Sequence, residues 1–416
     1  MAVPVSATLA ADEALNRRRE AGERVVPTAF GQAGIPVHPE LLAELSANAS
    51  RNAYGPVAGL PRLREAAAGY LARRGVPTDP GRVIAGPGSK PLLYAILLAL
   101  GGDVVVPKPS WVSYAAQAAL IGVRARSVPT RPGQGGVPDP DVFAEVIARA
   151  RAEGRPISAV ILTLPDNPTG TLASSETVRA VCETAREHDV LIVSDEIYRD
   201  LVFDPDPDYR YPAELAPEHT VVTTGLSKNL ALGGWRIGVA RLPDGPLGAR
   251  LHEPLSSVAS EVWSSPAQPV QLAAAYAFDE PAALTEYVAK ARSLYGRITR
   301  AVADRFGAAG ASVRPPVAAF YCYPDLGSGE LADRLPARTG PELAELLVER
   351  YGVGVLPASA FGEGREALRF RVATGMLTGS DTEQQSAALN AADPLSLPWI
   401  GASLDRLSEV LAELAG

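Results

Sequence analysis

The chain has 416 residues, 47% of them apolar, with a net charge of −8 and a pI near 5.3. That size and apolar content suit a globular protein built from a large and a smaller domain, and the acidic balance argues against a nucleic-acid or anionic-membrane surface, since phosphates and acidic lipids repel it. Two cysteines without CxxC spacing, Cys182 and Cys322, fit a reducing, cytoplasmic setting; four scattered histidines offer no HxxxH or HxH pair for a metal; and no apolar run reaches the roughly 18–20 residues of a membrane-spanning helix.

In chain order, residues 1–40 read as an arm and a helix attached to the smaller domain, with no basic segment ahead of a long apolar stretch that would mark an export signal. From about residue 82 to 242, short apolar runs alternate with helical patterns. VIAG (83–86), DVVVP (103–107), VRARSV (123–128), ISAVILTLP (157–165), VLIVSD (190–195), TVVTTG (220–225) and RIGVARL (236–242) are the expected strands. Their apolar runs are continuous, which predicts a mostly parallel sheet with helices on both faces. GQGG (133–136) reads as a surface loop. Residues 41–281 are assigned to this large α/β domain. Residues 282–416 then form a smaller α+β domain: an amphipathic helix from Ala282 to Phe306, strands at AAFYCYP, VGVLP and LRFRVA, and two last helices separated by LNAADPLSLPWIG.

Polar residues gather at the carboxyl ends of the expected strands, where open α/β sheets bind ligands. Asn167 follows the 157–165 strand, Asp195 ends the 190–195 strand, and Ser227 and Lys228 follow TVVTTG. Lys228 is one of four lysines beside thirty-five arginines. A site that needs charge alone would take arginine in this chain, so a lysine here suggests an amine that loses its proton and acts as a nucleophile; the alternative is a solvated surface lysine. An amine, a carboxylate and neutral donors are the chemical needs of a pyridoxal phosphate site. The lysine forms an imine with the aldehyde and later moves the substrate's α-proton, the carboxylate keeps the pyridine nitrogen protonated, and Asn167 and Tyr198 donate to the ring oxygen. GPGSKPLL (86–93) runs from a glycine-flanked turn into a helix, so the amides of Ser89 and Lys90 can meet a phosphate, with Arg236 adding a charge-assisted bond. A plain turn with a helix cap is the competing reading of GPGS.

Together these segments resemble the class I/II aminotransferases, pyridoxal phosphate enzymes of fold type I. The resemblance runs in order through NAYGPVAGLPRLREA (52–66), GPGSKPLL (86–93), VPKPSWVSY (106–114), PDNPTG (165–170), SDEIYRDLVF (194–203), GLSKNLALGGWRIG (225–238), FYCYPDL (320–326), LPASAFGE (356–363) and LRFRVAT (368–374). It implies Lys228 as the imine lysine, Asp195 as the partner of the pyridine nitrogen, and Trp111 stacked on the ring. It implies Ser89, Lys90, Ser227 and Arg236 around the phosphate, with Tyr54 arriving from a second copy and hence a homodimer. Arg369 resembles the arginine that forks onto the substrate α-carboxylate, with Arg371 its rival two residues on, and Gly31 resembles the glycine that lets backbone approach the same group.

Three departures qualify the resemblance. Gly225 stands where many relatives have a phosphate-contacting serine. Ser260 aligns with the arginine of dicarboxylate-specific members, which disfavours a second substrate carboxylate and leaves Trp263 and Glu261 to border the neighbouring site. The segment 376–400 looks longer than usual, as a lid or as surface decoration. The implied reaction is transfer of an amino group between an L-amino acid and a 2-oxo acid; elimination, replacement or cyclisation on the same cofactor, in the manner of aminocyclopropane-carboxylate synthases or lyases, is the alternative. A cofactor-binding regulator would need a DNA-binding domain for which neither length nor charge leaves room.

Overall fold

The computed structural model describes residues 7–328 and 331–415. All seven strands expected between residues 82 and 242 form: β1 Val83–Gly86, β2 Asp103–Lys108, β3 Ala125–Pro129, β4 Ile157–Thr163, β5 Leu191–Asp195, β6 Thr220–Gly225 and β7 Gly238–Arg241. They make one sheet in the order β1-β7-β6-β5-β4-β2-β3. The pairs from β6 through β5, β4 and β2 to β3 are parallel, and β7 runs antiparallel to both its neighbours.

Every residue of β5 and of β6 is buried. The reason is visible along β2, where successive side chains leave by opposite faces. Val104 and Val106 pack with the helix Ser89–Leu100, while Val105 packs with the helices Pro140–Ala152 and Ser175–Glu187. Burial on both faces is what made the runs continuous. Ser174 caps the last of these helices, its hydroxyl accepting from the Thr177 amide at 3.2 Å.

A second core surrounds a small antiparallel sheet of order β8-β10-β9, with β8 Tyr321–Cys322, β9 Leu356–Pro357 and β10 Phe370–Ala373. The helix Ala282–Ala308 contributes Leu294, Tyr295, Ile298, Val302 and Phe306 to it, and the helix Pro398–Ala415 contributes Leu404 and Leu411. Burying each such leucine, isoleucine or phenylalanine is worth roughly 1.5–3 kcal/mol. Ala33 and Ile35 from the N-terminal segment and Tyr198 and Leu201 from beyond β5 join the same core. The small sheet is thereby held against the carboxyl ends of the large one.

One expectation is corrected, and one pair of alternatives narrows. GQGG is not a surface loop: Gly135 and Gly136 are buried, the Thr163 amide donates to the Gly136 carbonyl at 2.9 Å, and a Cβ at Gly136 would collide with the Thr163 carbonyl. The glycine, at φ 78°, lets the chain pass close against the end of β4. Of the two readings of residues 376–400, a lid or surface decoration, the packing favours the second. These residues fold as the short helix Thr382–Asn390 between 3₁₀ turns, bury Leu377, Ala388 and Leu389 in the second core, and are tied down by the Trp399 indole, which donates to the Thr378 carbonyl at 2.8 Å.

Candidate active site

Where β4, β5 and β6 end beneath the small sheet, a cavity of about 540 Å³ opens. Gly31, Ser89, Lys90, Trp111, Asn167, Asp195, Tyr198, Ser227, Lys228 and Arg236 all line it, together with Tyr114, Tyr321 and Arg371. Asn167, Asp195 and Lys228 meet here because the parallel strands β4, β5 and β6 deliver their carboxyl ends to one edge.

Lys228 lies three residues beyond the end of β6, and its Nζ donates to the Gly31 carbonyl at 2.5 Å. Burial pushes the amine down to about 8; the positive charges of Arg371 and Lys90 act in the same direction, while Asp195 opposes them. Asp195 ends β5, between Thr163 of β4 and Thr223 of β6 in register. Its Oδ2 accepts from the Tyr114 hydroxyl at 2.9 Å, whereas its buried Oδ1 has no hydrogen-bond partner among the described residues. Burial raises this carboxyl to about 6, and the Tyr114 bond pulls the other way.

Trp111 stands at the start of the helix Val112–Leu120. Its ring meets Tyr114 edge-on at 5.3 Å between centroids, and the Lys90 ammonium lies 5.0 Å from the Trp111 ring centroid. The helix Ser89–Leu100 aims its N-terminus at the cavity, preceded by Gly88 at φ 97°. A Cβ on Gly88 would come within 2.5 Å of Arg236 Nη2, and one on Gly238 within 2.7 Å of the Ser89 amide nitrogen. Bare glycine backbone therefore keeps a cradle open around the helix amides and the Arg236 guanidinium.

Arg371, not Arg369, reaches the cavity. Arg371 is buried; its Nη1 donates to Asn167 Oδ1 at 3.0 Å and its Nη2 to the Ala29 carbonyl at 2.7 Å. Arg369 precedes β10, and its side chain, 42% exposed, lies 3.0 Å from Glu363 and 3.8 Å from Asp325 in ion pairs. Acidic side chains wait outside for the first arginine and neutral acceptors inside for the second. That difference is tertiary, so two arginines two residues apart looked equivalent in sequence.

Tyr54 and Trp263 do not line the cavity either. Tyr54 is 92% exposed, and Trp263 ends the helix Gly245–Val262 with its indole nitrogen buried and unpartnered among the described residues. Their segments touch, since the Gln268 amide donates to the Ala53 carbonyl at 3.0 Å. Ser260 is exposed beside Glu261, to which its hydroxyl donates at 3.1 Å.

Sequence reasoning passed over two side chains. Tyr114 follows Trp111 by three residues, one helical turn, and that spacing was the available signal. Tyr321 sits in FYCYPDL; its hydroxyl lies 2.7 Å from that of Tyr198, a pairing no local pattern foretells.

The arrangement fits pyridoxal phosphate. The orphaned Asp195 Oδ1 is an acceptor suited to a ring N–H, the glycine cradle at Gly88 and Gly238 presents donors to a phosphate, and a buried amine of lowered basicity lines the same cavity. Among the described residues, no group of three or more His, Cys, Asp and Glu side chains is placed to hold a metal ion, and no helix is long and apolar enough to cross a membrane.

A model of the family described as aminotransferase class I and II matches residues 26–382. A probable aspartate/prephenate aminotransferase of Thermus aquaticus is 33% identical over 364 residues, covering 86% of this chain and 89% of that protein. Among solved structures, aspartate aminotransferase from Thermus thermophilus with maleate superposes with a TM-score of 0.82 at 28% identity, over 98% of this chain and 97% of that one. An aromatic aminotransferase from Pyrococcus horikoshii superposes with a TM-score of 0.78 at 25% identity, over 96% and 99% of the two chains.

Proposed function

This chain belongs to the class I and II aminotransferase family and is a pyridoxal phosphate-dependent aminotransferase, and from that premise we propose that it acts on amino acids with a single carboxylate through Lys228, Asp195 and Arg371. The observation that carries the reading is one cavity onto which a buried amine of lowered basicity and an unpartnered buried carboxylate oxygen both open. Elimination or cyclisation is not favoured, as the relatives above all carry aminotransferase names.

When bound, pyridoxal phosphate supplies an electrophilic aldehyde carbon and a ring that takes up the electrons left by a departing α-proton. The protein supplies the rest. Lys228 Nζ, neutral in a substantial fraction near pH 8, would hold the aldehyde and serve as the base that moves the proton at the amino acid's α-carbon. Asp195 Oδ1 would accept the ring N–H, and Tyr114 keeps that carboxylate in place through Oδ2. Tyr198 and Asn167 would donate to the ring oxygen, Trp111 would cover a ring face, and Ser89, Lys90, Ser227 and Arg236 would hold the phosphate. Arg371 forks onto the α-carboxylate, already oriented by Asn167 and the Ala29 carbonyl. Gly31 leaves room for that approach.

Of the cavity's cations, Arg236 stands at the glycine cradle, Lys228 is the base and the Lys90 ammonium lies against the Trp111 ring, so the buried Arg371 is the one assigned to the substrate α-carboxylate. Ser260 beside acidic Glu261 adds no second positive charge. Aspartate in the names of relatives argues the other way, while the aromatic aminotransferase agrees with a single-carboxylate substrate. We also propose a cytoplasmic homodimer: exposed Tyr54, with Trp263 nearby, would complete the phosphate end of a second copy's cavity, and the two cysteines are free and buried.

The test is to mix the loaded protein with a panel of amino acids and follow the cofactor's absorbance together with 2-oxo acid release. Conversion to pyridoxamine phosphate with aromatic or aliphatic amino acids, and kcat/KM for aspartate and glutamate at least tenfold lower, is expected; this threshold is about 1.4 kcal/mol of discrimination. Preference for aspartate would overturn the substrate assignment, and ammonia release without pyridoxamine phosphate would overturn the reaction.

A further inference from the structure

Tyr198 and Tyr321 are 3% and 1% exposed, and their hydroxyls lie 2.7 Å apart with either able to donate. Each phenol carries one proton and can also accept, so a pair of them has one proton to share inwardly and one to spend elsewhere. Both line the cavity. The Tyr321 hydroxyl has its place because residue 31 is glycine: a Cβ there would collide with it. The Gly31 carbonyl in turn accepts from Lys228 Nζ. Three charged groups face the pair. Arg371 Cζ lies 5.0 Å from the Tyr321 ring centroid, Lys228 Nζ lies 6.0 Å from that of Tyr198, and Asp195 shares the cavity wall. The arginine's charge makes the Tyr321 O–H the stronger donor of the two, since it stabilises negative charge on that ring.

We propose that Tyr321 is a positioning residue for the reaction: its hydroxyl donates to the Tyr198 oxygen, which leaves the Tyr198 proton aimed at the ring oxygen of bound pyridoxal phosphate. The inference rests on the cofactor reading above. Without Tyr321, the Tyr198 proton is free to rotate away and the Tyr198 oxygen loses the donor that polarises it, so the negatively charged ring oxygen is less well stabilised. Tyr321 thus acts through Tyr198.

The test uses the full chain loaded with pyridoxal phosphate and reads the pH midpoint of the cofactor's visible absorbance, which a purely structural role would not move. Tyr321→Phe keeps the ring that Arg371 and Phe320 pack against, and is expected to raise the midpoint by about 0.5–1 unit, the direction that loss of a donor to an anion dictates. In a Tyr198→Phe background the same change is expected to add nothing, because the relay is already broken. An unmoved midpoint, or an equal shift in both backgrounds, overturns the proposal. Should Tyr321→Phe fold poorly, 3-fluorotyrosine at 321 serves instead: its more acidic hydroxyl is expected to lower the midpoint, and no change would count against the relay. A protein that takes up the cofactor with no visible band in any variant, the unsubstituted chain included, overturns the cofactor reading and this inference together.

Discussion

Arg371 Nη1 donates to Asn167 Oδ1 at 3.0 Å, a bond that joins β10 of the small sheet to the loop leaving β4 of the large one. It joins two side chains that line the same cavity, so that the two cores meet through the proposed site itself.

Arg371→Ala is therefore expected to lower kcat/KM by roughly 30-fold or more, the low end of the about 2–5 kcal/mol lost when one partner of a buried charged hydrogen bond is truncated. Arg369→Ala removes two ion pairs outside the cavity, to Asp325 and to the largely buried Glu363; the cost falls on stability, and kcat/KM should stay within about fivefold. Steady-state kinetics of both variants with one amino acid decide the matter. Equal losses would return Arg369 to consideration.

Lys228 gives a pH dependence. Burial and the charges of Arg371 and Lys90 bring its amine down to about 8, and only the neutral amine attacks an aldehyde. The rate at which cofactor-free protein captures pyridoxal phosphate should rise as pH passes through about 8 and then level off. Stopped-flow absorbance measures it. A profile still climbing well above that pH, toward an ordinary lysine's range, would show the amine to be less perturbed than the geometry implies.

Asp195 is predicted to trade stability for function. Its folded carboxyl is raised to about 6 from an ordinary 3.8, so the folded protein holds the extra proton between those values. Stability contributed by that proton is present below about pH 4 and lost as pH rises through 6. At pH 8 the ionised, half-satisfied carboxylate destabilises the cofactor-free protein by an amount on the order of 2–3 kcal/mol. Asp195→Asn should accordingly raise the denaturation midpoint of the cofactor-free protein at pH 8, much less at pH 4, while cofactor affinity falls. Destabilisation at both pH values would refute the burial argument.

How much of this was readable beforehand follows from the physics of each feature. The strands were legible because β5 and β6 are buried on both faces and so had to be apolar without interruption. Asp195, Asn167 and Lys228 were legible because strand ends fix them to one edge of the sheet. Arg371 was not separable from Arg369, since three of the deciding groups, Asn167, the Ala29 carbonyl and Asp325, come from distant segments. GQGG misled for a related reason: glycine marks a free loop and a crowded crossing alike, and only the Thr163 carbonyl pressed against Gly136 tells them apart. The Tyr198–Tyr321 pair depends on the second core docking against the first, which no local pattern encodes.

Gly225 is the sharpest of the departures from the family pattern, and it too can be tested. It pairs with Gly238 across β6 and β7, and a Cβ at 225 would stand 2.9 Å from the Ile237 carbonyl oxygen and 3.3 Å from the Gly238 Cα. On its far side Gly238 leaves only 2.7 Å between a would-be Cβ and the Ser89 amide nitrogen, so the strand cannot step back to make room. Restoring the serine common among relatives should therefore push backbone against backbone. Gly225→Ser is expected to cost roughly 1–3 kcal/mol, the usual penalty of overpacking, without tightening cofactor binding, because displacing β7 also disturbs the phosphate cradle. Urea denaturation of the cofactor-free variant and a cofactor titration measure the two quantities separately. A variant as stable as the parent that binds the cofactor more tightly would mean the strands yield more easily than their glycine pairing suggests, and that the missing hydroxyl, not space, governs this position.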